Sequence, residues 1–331
     1  MILITGATGF IGSRMAQRFR EQGIALVLLG RLRNEVEQNR AAELKSAGLN
    51  VNEVDLTSEN LAQYVEGVDL VIHLAAAQHE ANQPESYFEK VNVGGTRRLL
   101  EASIAAKVRR FVYGSTIGIY GQALQGEIDE HSKVAPDNHY GRTKLAAEQL
   151  VRQYGDRLEV AIARISETYG PGDYRLLKLF AGIQKGVFFI IGSGANLHQL
   201  VYVDDLIDGL HELGTSVTTV GQTVVLAGNE ILSTREMCEH ISRAVGQQLR
   251  KMRLPLFPFM VAAIAFEQTL GRVGIQPPLH RRRLDFFRKS FFFSPSERDR
   301  LLQWRPKVSF DEGTKRTADW YRSAGLLRSD K

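Results

Sequence analysis

From the first residue to about residue 165 the chain alternates between short apolar runs and amphipathic stretches, and that alternation leaves few folds open. Ile2–Thr5, Ala25–Gly30, Leu49–Val54, Leu70–Leu74, Arg110–Ser115 and Glu159–Arg164 read as short buried strands. Helical patterns near Ile11–Gln22, Glu35–Ala47, Ser58–Val65, Glu85–Ala106 and Tyr140–Tyr154 separate them. Strand–helix–strand repetition calls for a parallel sheet covered by helices on both faces. Right-handed crossovers then give an α/β, doubly wound sheet whose site lies at the carboxyl ends of the strands.

Beyond about Gly170 the alternation loosens, and Gly, Pro and aromatic residues become denser. We therefore expect residues 1–170 to form a dinucleotide-binding Rossmann domain that carries the catalytic residues. Residues 171–331 then form mainly a smaller substrate-binding lobe, partly interleaved with the first. Ser233/Glu236 and Ser309/Glu312 have capping-box spacing and predict helix starts in that lobe.

Charge and composition exclude several classes. The 331 residues hold 42 Lys+Arg against 37 Asp+Glu, and the whole +5 excess sits between Gly271 and Arg300. A local anion site fits that distribution, whereas a nucleic-acid-binding face does not. The single cysteine, Cys238, forms no internal disulfide, and no Cys/His cluster has zinc spacing, so no metal is expected. The longest apolar run, Leu254–Phe266, contains two prolines and falls short of the ~20 residues of a spanning helix. No leader pattern precedes Ile2, and a reducing, cytoplasmic setting is expected. A membrane-surface role for that run together with Arg281–Arg283 and the interleaved Phe286, Phe287, Phe291, Phe292 and Phe293 is the secondary reading.

Three motifs carry chemistry. Thr5-Gly6-Ala7-Thr8-Gly9-Phe10-Ile11-Gly12 joins the first strand to the first helix. Gly6 permits the turn, Gly9 lets the backbone approach a pyrophosphate and Gly12 lets helix and strand pack closely. The acid expected after the second strand, on a ribose 2′-hydroxyl, is replaced by Gly30-Arg31-Leu32-Arg33. Arg31 or Arg33 suits a 2′-phosphate, which favours NADP(H) over NAD(H). Asp55-Leu56 either closes over the adenine or caps the next helix.

In Tyr140-Gly141-Arg142-Thr143-Lys144 the tyrosine and lysine lie one helical turn apart on one face. A free tyrosine titrates near pH ~10, so exchanging its proton near neutrality needs about 4 kcal/mol of help. An ammonium ~5 Å away supplies about 3 kcal/mol at an effective dielectric of ~20. Gly114-Ser115-Thr116 to Gly121 ends the fifth strand and offers a hydroxyl at Thr116, or at its neighbour Ser115, opposite Tyr140.

Together these motifs resemble the extended short-chain dehydrogenase/reductase (NAD-dependent epimerase/dehydratase) family. The resemblance takes in His73-Leu74-Ala75-Ala76, Asn92-Val93-Gly94-Gly95-Thr96, Tyr169-Gly170-Pro171-Gly172-Asp173, Tyr202-Val203-Asp204-Asp205-Leu206, Trp304-Arg305-Pro306 and Trp320-Tyr321-Arg322. It implies that Tyr140 is the general acid/base, that Thr116 polarises the substrate oxygen, and that Lys144 holds the nicotinamide ribose and lowers the tyrosine pKa. Gly6, Thr8, Gly9, Phe10, Ile11, Gly12, Leu74, Ala75 and Ala76 would then surround the cofactor.

The chemistry implied is hydride exchange with a secondary alcohol or ketone carbon, first of all on a sugar nucleotide. Net NADPH-dependent ketone reduction, of the hydroxysteroid or dihydroflavonol kind, is the alternative, and a non-catalytic NADP(H) sensor is the rival. Two departures bear on the substrate. His198 stands where such enzymes place an arginine, and Glu167 where many relatives carry asparagine. Arg281, in the basic cluster, is a candidate for a substrate diphosphate. Asn92 either touches the site or packs. The resemblance also implies a homodimer built from Glu85–Ala106 and Tyr140–Tyr154.

Overall fold

The computed structural model describes residues 1–57, 60–78, 83–250, 253–269 and 284–328. Seven parallel strands form the central sheet: β1 (Ile2–Thr5), β2 (Leu26–Gly30), β3 (Val51–Glu53), β4 (Leu70–His73), β5 (Arg110–Thr116), β7 (Glu159–Ile165) and β12 (Thr223–Leu226). Their order is β12-β7-β5-β4-β1-β2-β3, so the chain winds outward from β1 in one direction and returns at β4 to build the other. The crevice between the ends of β1 and β4 is the switch point where this fold places its ligand.

Period-two alternation of the strands fills both faces. Ile2, Ile4, Leu70, Ile72, Val112 and Ala161 point to a core shared with α1 (Phe10–Glu21) and α8 (Val203–Thr215). Leu3, Val71, Phe111, Tyr113, Val160 and Ile162 point to the opposite core with α5 (Gly95–Ala105) and α6 (His139–Gln153). Because both faces are covered, the strands read as continuous apolar runs.

Six of the seven strands lie within two residues of their sequence-derived bounds. β12 was not anticipated: Val224, Val225 and Leu226 are followed by Ala-Gly-Asn with no helical repeat, so its short run lacks context. The stretch Glu85–Ala106, expected as one helix, is α4 (Glu85–Glu89), a π-helical turn at Lys90–Gly94, and α5. The helix expected over Ser58–Val65 is only α3 (Ala62–Val65) among the described residues. Ser233 forms the full capping box with Glu236 on α9 (Thr234–Ala244). Ser309 caps only by accepting from the Glu312 amide, because the Glu312 carboxylate is drawn to Arg316 at 2.9 Å.

Past residue 170 the added structure is small. Two-residue strands β8 (Thr168–Tyr169), β9 (Ile190–Ile191), β10 (Leu197–His198), β11 (Val201–Tyr202), β13 (Leu232–Ser233) and β14 (Arg253–Leu254) pair two by two. β15 (Phe291–Phe293) pairs with β6 (Gly126–Ile128) and buries Phe291 and Phe293. Side chains tie these pieces to the sheet. Asp204 on α8 takes a two-pronged bond from Arg14 on α1 at 2.7 and 2.9 Å. Asp205 accepts from the Lys307 and Val308 amides. The Tyr-Val-Asp-Asp segment is thus a fastening of the fold.

α10 (Leu256–Thr269) leaves Phe257 77% exposed, with Val261 and Ile264 on the same stripe. Among the described residues no helix is long and apolar enough to cross a membrane.

Candidate active site

A crevice of about 510 Å³ opens over the ends of β1, β4, β5 and β7. Its floor is the glycine turn. Gly6 has φ +71°, and a Cβ there would meet Ala75 N at 2.9 Å. A Cβ on Gly12 would lie 2.2 Å from Gly6 O. Gly9 precedes α1 with no side-chain cap, so the first N–H groups of the helix stay open. The Thr8 side chain folds back beneath Gly30, its Oγ1 donating to Arg31 O at 2.9 Å. Bare backbone, a helix N-terminus and close strand packing fit a dinucleotide's pyrophosphate.

Gly6, Thr8, Gly9, Phe10, Ile11, Gly12, Arg31, Asp55, Leu56, Leu74, Ala75, Ala76, Ser115, Thr116, Tyr140 and Lys144 all line this crevice. Arg33 stands just outside the lining. Its Nη1 and Arg31 Nη1 both donate to the Tyr87 hydroxyl, at 2.7 and 3.0 Å. Arg33 also pairs with Asp55 at 2.8 Å. Burial pushes the Asp55 carboxyl up, but the Thr57 amide and the two arginines outweigh it and hold Asp55 below the usual range. Asp55 accepts from Thr57 N at 2.9 Å, a turn contact rather than a helix cap.

At the other end, Thr116 is the last residue of β5. Its Oγ1 accepts from Gly118 N at 3.1 Å, which anchors the oxygen and leaves the hydroxyl proton uncommitted. Ser115 differs: its Oγ donates to buried Glu148 at 2.7 Å. Asn138 caps α6 by accepting from Gly141 N at 2.9 Å, so the helix starts beside Tyr140. Gly141 packs so closely on Gly118 O that a Cβ would sit at 2.9 Å. That approach sets the first turn of α6, with Tyr140, against the Thr116 turn.

Lys144 is 1% exposed, donates to Gly114 O at 2.5 Å and lies 4.1 Å from the Tyr113 ring centre. Burial pushes its ammonium down to about 7, with Glu148 pulling the other way. Glu148 is the next residue on that helix face. It is held by Arg164 on β7 at 2.7 Å, by Ser115 and by Arg152 at 3.2 Å. Burial pushes the Glu148 carboxyl up; bonds from Arg164 and Ser115 overcome this and keep it ionised.

At the end of β4, His73 is wholly buried and burial pushes it down to about 3, with the Lys144 charge acting the same way. Thr96 Oγ1 spends its proton on Asn92 O, so it accepts from His73 Nε2 at 2.9 Å. His73 Nδ1 therefore accepts from Thr5 Oγ1 at 2.6 Å, and Thr5 in turn accepts from Ala75 N. Asn92 grips Ala77 N and O at 2.7 and 3.0 Å and donates to Thr143 Oγ1 at 2.9 Å. Both ends of its amide are spent on positioning the loop after β4 against α6.

Two of the proposed substrate residues are not brought into the crevice lining. Glu167 is half-buried outside it. His198 is buried in the lobe, bonded through Nε2 to Thr234 at 2.9 Å and stacked on Phe286 at 4.9 Å. Arg281 lies outside the described residues. The sequence reading passed over Arg40, Tyr174 and Arg175, which line the crevice, and Glu148, which buttresses it. Glu148 could have been found as the acid one turn after Lys144 on the same face; Arg40 sits on α2 (Glu35–Ser46), whose residues show no comparable pattern.

Residues 2–227 match the NAD dependent epimerase/dehydratase family. The chain is 26% identical over 355 residues to human dTDP-D-glucose 4,6-dehydratase, covering 97% of this chain and 89% of that protein. It is 28% identical over 341 residues to the trifunctional UDP-glucose 4,6-dehydratase/UDP-4-keto-6-deoxy-D-glucose 3,5-epimerase/UDP-4-keto-L-rhamnose-reductase of Arabidopsis thaliana. That match covers 97% of this chain but spans only about half of the plant protein, 46%. Among solved structures, a double mutant of the dTDP-glucose 4,6-dehydratase DesIV of Streptomyces venezuelae, with NAD bound, superposes with a TM-score of 0.75. The identity is 26%, with 99% of this chain and 98% of that one covered. A glycine turn under an open helix end, a hydroxyl at the end of β5, and a tyrosine and a buried lysine on α6 occupy one crevice, and the chain belongs to the NAD-dependent epimerase/dehydratase family.

Proposed function

We propose that the protein exchanges a hydride with a secondary alcohol or ketone carbon of a sugar nucleotide, using a nicotinamide dinucleotide as a recycled or consumed partner. The observation that carries this reading is the pairing of an uncommitted Thr116 hydroxyl proton with Tyr140 and Lys144 at one end of a crevice floored by a glycine turn. Thr116 donates to the reacting oxygen and orients it. Tyr140 removes or returns that oxygen's proton. Lys144, fixed on Gly114 O, supplies the positive charge that stabilises the phenolate. The dinucleotide, when bound, accepts the substrate's hydride or delivers one.

Epimerisation or net redox is favoured over elimination of water, which needs a further acid and base beside the reacting carbon. Ile117 and Gly118 follow Thr116. Among the described residues the carboxylates lining the crevice are Glu37 and Asp55, both engaged by Arg33, and Asp173, engaged by Arg175.

The second reading is net NADPH-dependent ketone reduction. Arg31 and Arg33, converging on Tyr87, favour it and with it NADP(H), because a 2′-phosphate would join two guanidinium groups already held together. Turnover of a panel of UDP- and dTDP-sugars, followed by product analysis and nicotinamide absorbance, separates the two. Epimerisation leaves absorbance unchanged, and net reduction consumes NADPH in step with product. Full turnover by Tyr140→Phe refutes the role given to Tyr140, and a wild type that binds dinucleotide but turns over no substrate leaves the sensor role.

We also infer a homodimer on the family pattern. The helices concerned, α4, α5 and α6, pack on one another. Among the described residues they expose no large hydrophobic side chain, so the interface would be polar, and light scattering tests it. A reducing compartment suits Cys238, whose thiol burial pushes up to about 12.

A further inference from the structure

The wall of the crevice holds a cation that the mechanism leaves without a task. Arg40 reaches from α2 across the glycine turn. Its Nη1 donates to Thr8 O at 3.2 Å and its Nη2 to Gly172 O at 2.7 Å, on a segment 132 residues away. Its guanidinium also stands 5.8 Å from the Tyr174 ring centre. Gly172 rests on the turn, since a Cβ there would lie 3.4 Å from the Phe10 ring. The far side of the same segment is held by Tyr321, whose hydroxyl donates to Asp173 O at 2.5 Å.

Arg31 has Glu37 nearby at 3.9 Å and Arg33 has Asp55. Arg40 has no carboxylate in pairing distance among the described residues, and both of its bonds go to neutral carbonyls. Burial pushes it below the usual arginine range, with Tyr174, Glu43 and Asp173 opposing from a distance. A guanidinium carries five donors, and two carbonyl bonds leave the rest of them and the charge unanswered. A partly desolvated cation of this kind is completed by an anion. The turn beneath it, with bare N–H groups and the positive end of α1, selects a phosphate.

We propose that Arg40 is a phosphate-binding residue for the dinucleotide, gripping the phosphate while it joins the glycine turn to the segment around Gly172. Phosphate occupancy and the seating of the C-terminal lobe are thereby linked. The proposal rests on the dinucleotide reading given above.

The test measures binding, not turnover. Wild type, Arg40→Met and Arg40→Lys are titrated calorimetrically with NADH, NADPH, ADP-ribose and adenosine. The expected result is that Arg40→Met weakens ADP-ribose and NADH about tenfold to a hundredfold, leaves adenosine unchanged, and is partly restored by Arg40→Lys. A loss confined to NADPH supports the proposal and assigns the 2′-phosphate; an equal loss for NADH and NADPH supports it and assigns the pyrophosphate. Unchanged ADP-ribose and NADPH binding overturns it. An equal loss for adenosine and ADP-ribose also overturns it, since that is a purely structural strap. If Arg40→Met does not fold, Arg40→Lys alone decides, by whether its ADP-ribose-to-adenosine affinity ratio falls from the wild-type value. Failure of the wild type to bind any dinucleotide would sink the underlying functional reading instead.

Discussion

The two halves of the molecule are held together by different means. In the N-terminal half the proposed catalytic residues hang at the end of a sheet strand or in the first two turns of a helix. Thr116 ends β5, Tyr140 and Lys144 open α6, and Gly6 to Gly12 join β1 to α1. Seven paired strands fix those ends relative to one another. Past residue 170, only β12 joins the sheet; the other strands are short pairs, and fastenings such as Arg14–Asp204, Tyr321–Asp173 and the Asp205 amide bonds help to place them. Chemistry that tolerates little displacement sits on the first kind of support. On the proposed function, substrate choice, which varies within one fold, would belong on the second.

The comparison can be broken at its strongest point first. Tyr140→Phe should lower kcat by about 10²–10⁴-fold with cofactor affinity unchanged, measured by turnover and by titration with NADH. Arg164→Met should cost about 3–5 kcal/mol in chemical denaturation, because Glu148 then stays buried without its main partner. Asp204→Ala, which removes a fastening of the second half, should cost about 1.5–3 kcal/mol and leave dinucleotide affinity near wild type. If Asp204→Ala costs as much as Arg164→Met, the contrast between the halves fails.

A fourth test concerns pH. Unfolded His73 takes its proton near its ordinary 6.5, whereas the folded group resists to about 3. The unfolded state thus binds more protons in that window, and stability falls as pH drops through it. Lys144, held at about 7 against its ordinary 10.5, adds stability as pH rises through that upper window. Melting curves should show the acid-side loss at about 2 °C per pH unit at its steepest. A flat profile from pH ~6.5 to ~4 would mean that the His73–Thr5–Thr96 chain is not closed.

Legibility in the sequence followed the same division. Continuous apolar strands, a glycine turn and a Tyr–Lys pair at helical spacing are local patterns, so the sheet and the crevice lining could be read from the letters. β12 was missed because three consecutive apolar residues are too short a run to show a period. Arg40 was missed because its partners, Thr8 and Gly172, are backbone carbonyls 32 and 132 residues away, and no side-chain pattern marks a carbonyl. His198 attracted attention by its place in a motif, yet its Nε2 is engaged by Thr234 and its ring by Phe286, outside the crevice lining. The choice between Ser115 and Thr116 turned on Glu148, which claims only the serine proton.

The π-helical turn at Lys90–Gly94 amounts to one surplus residue in an otherwise regular rod. Deleting a single residue there would restore ordinary pitch and firmer helical bonding. It would also close the wide turn that carries Asn92 and shift its amide from Ala77. Such a shortened protein would trade a better helix for a slack β4 loop, so the local irregularity is a place where foldability has been surrendered to the crevice.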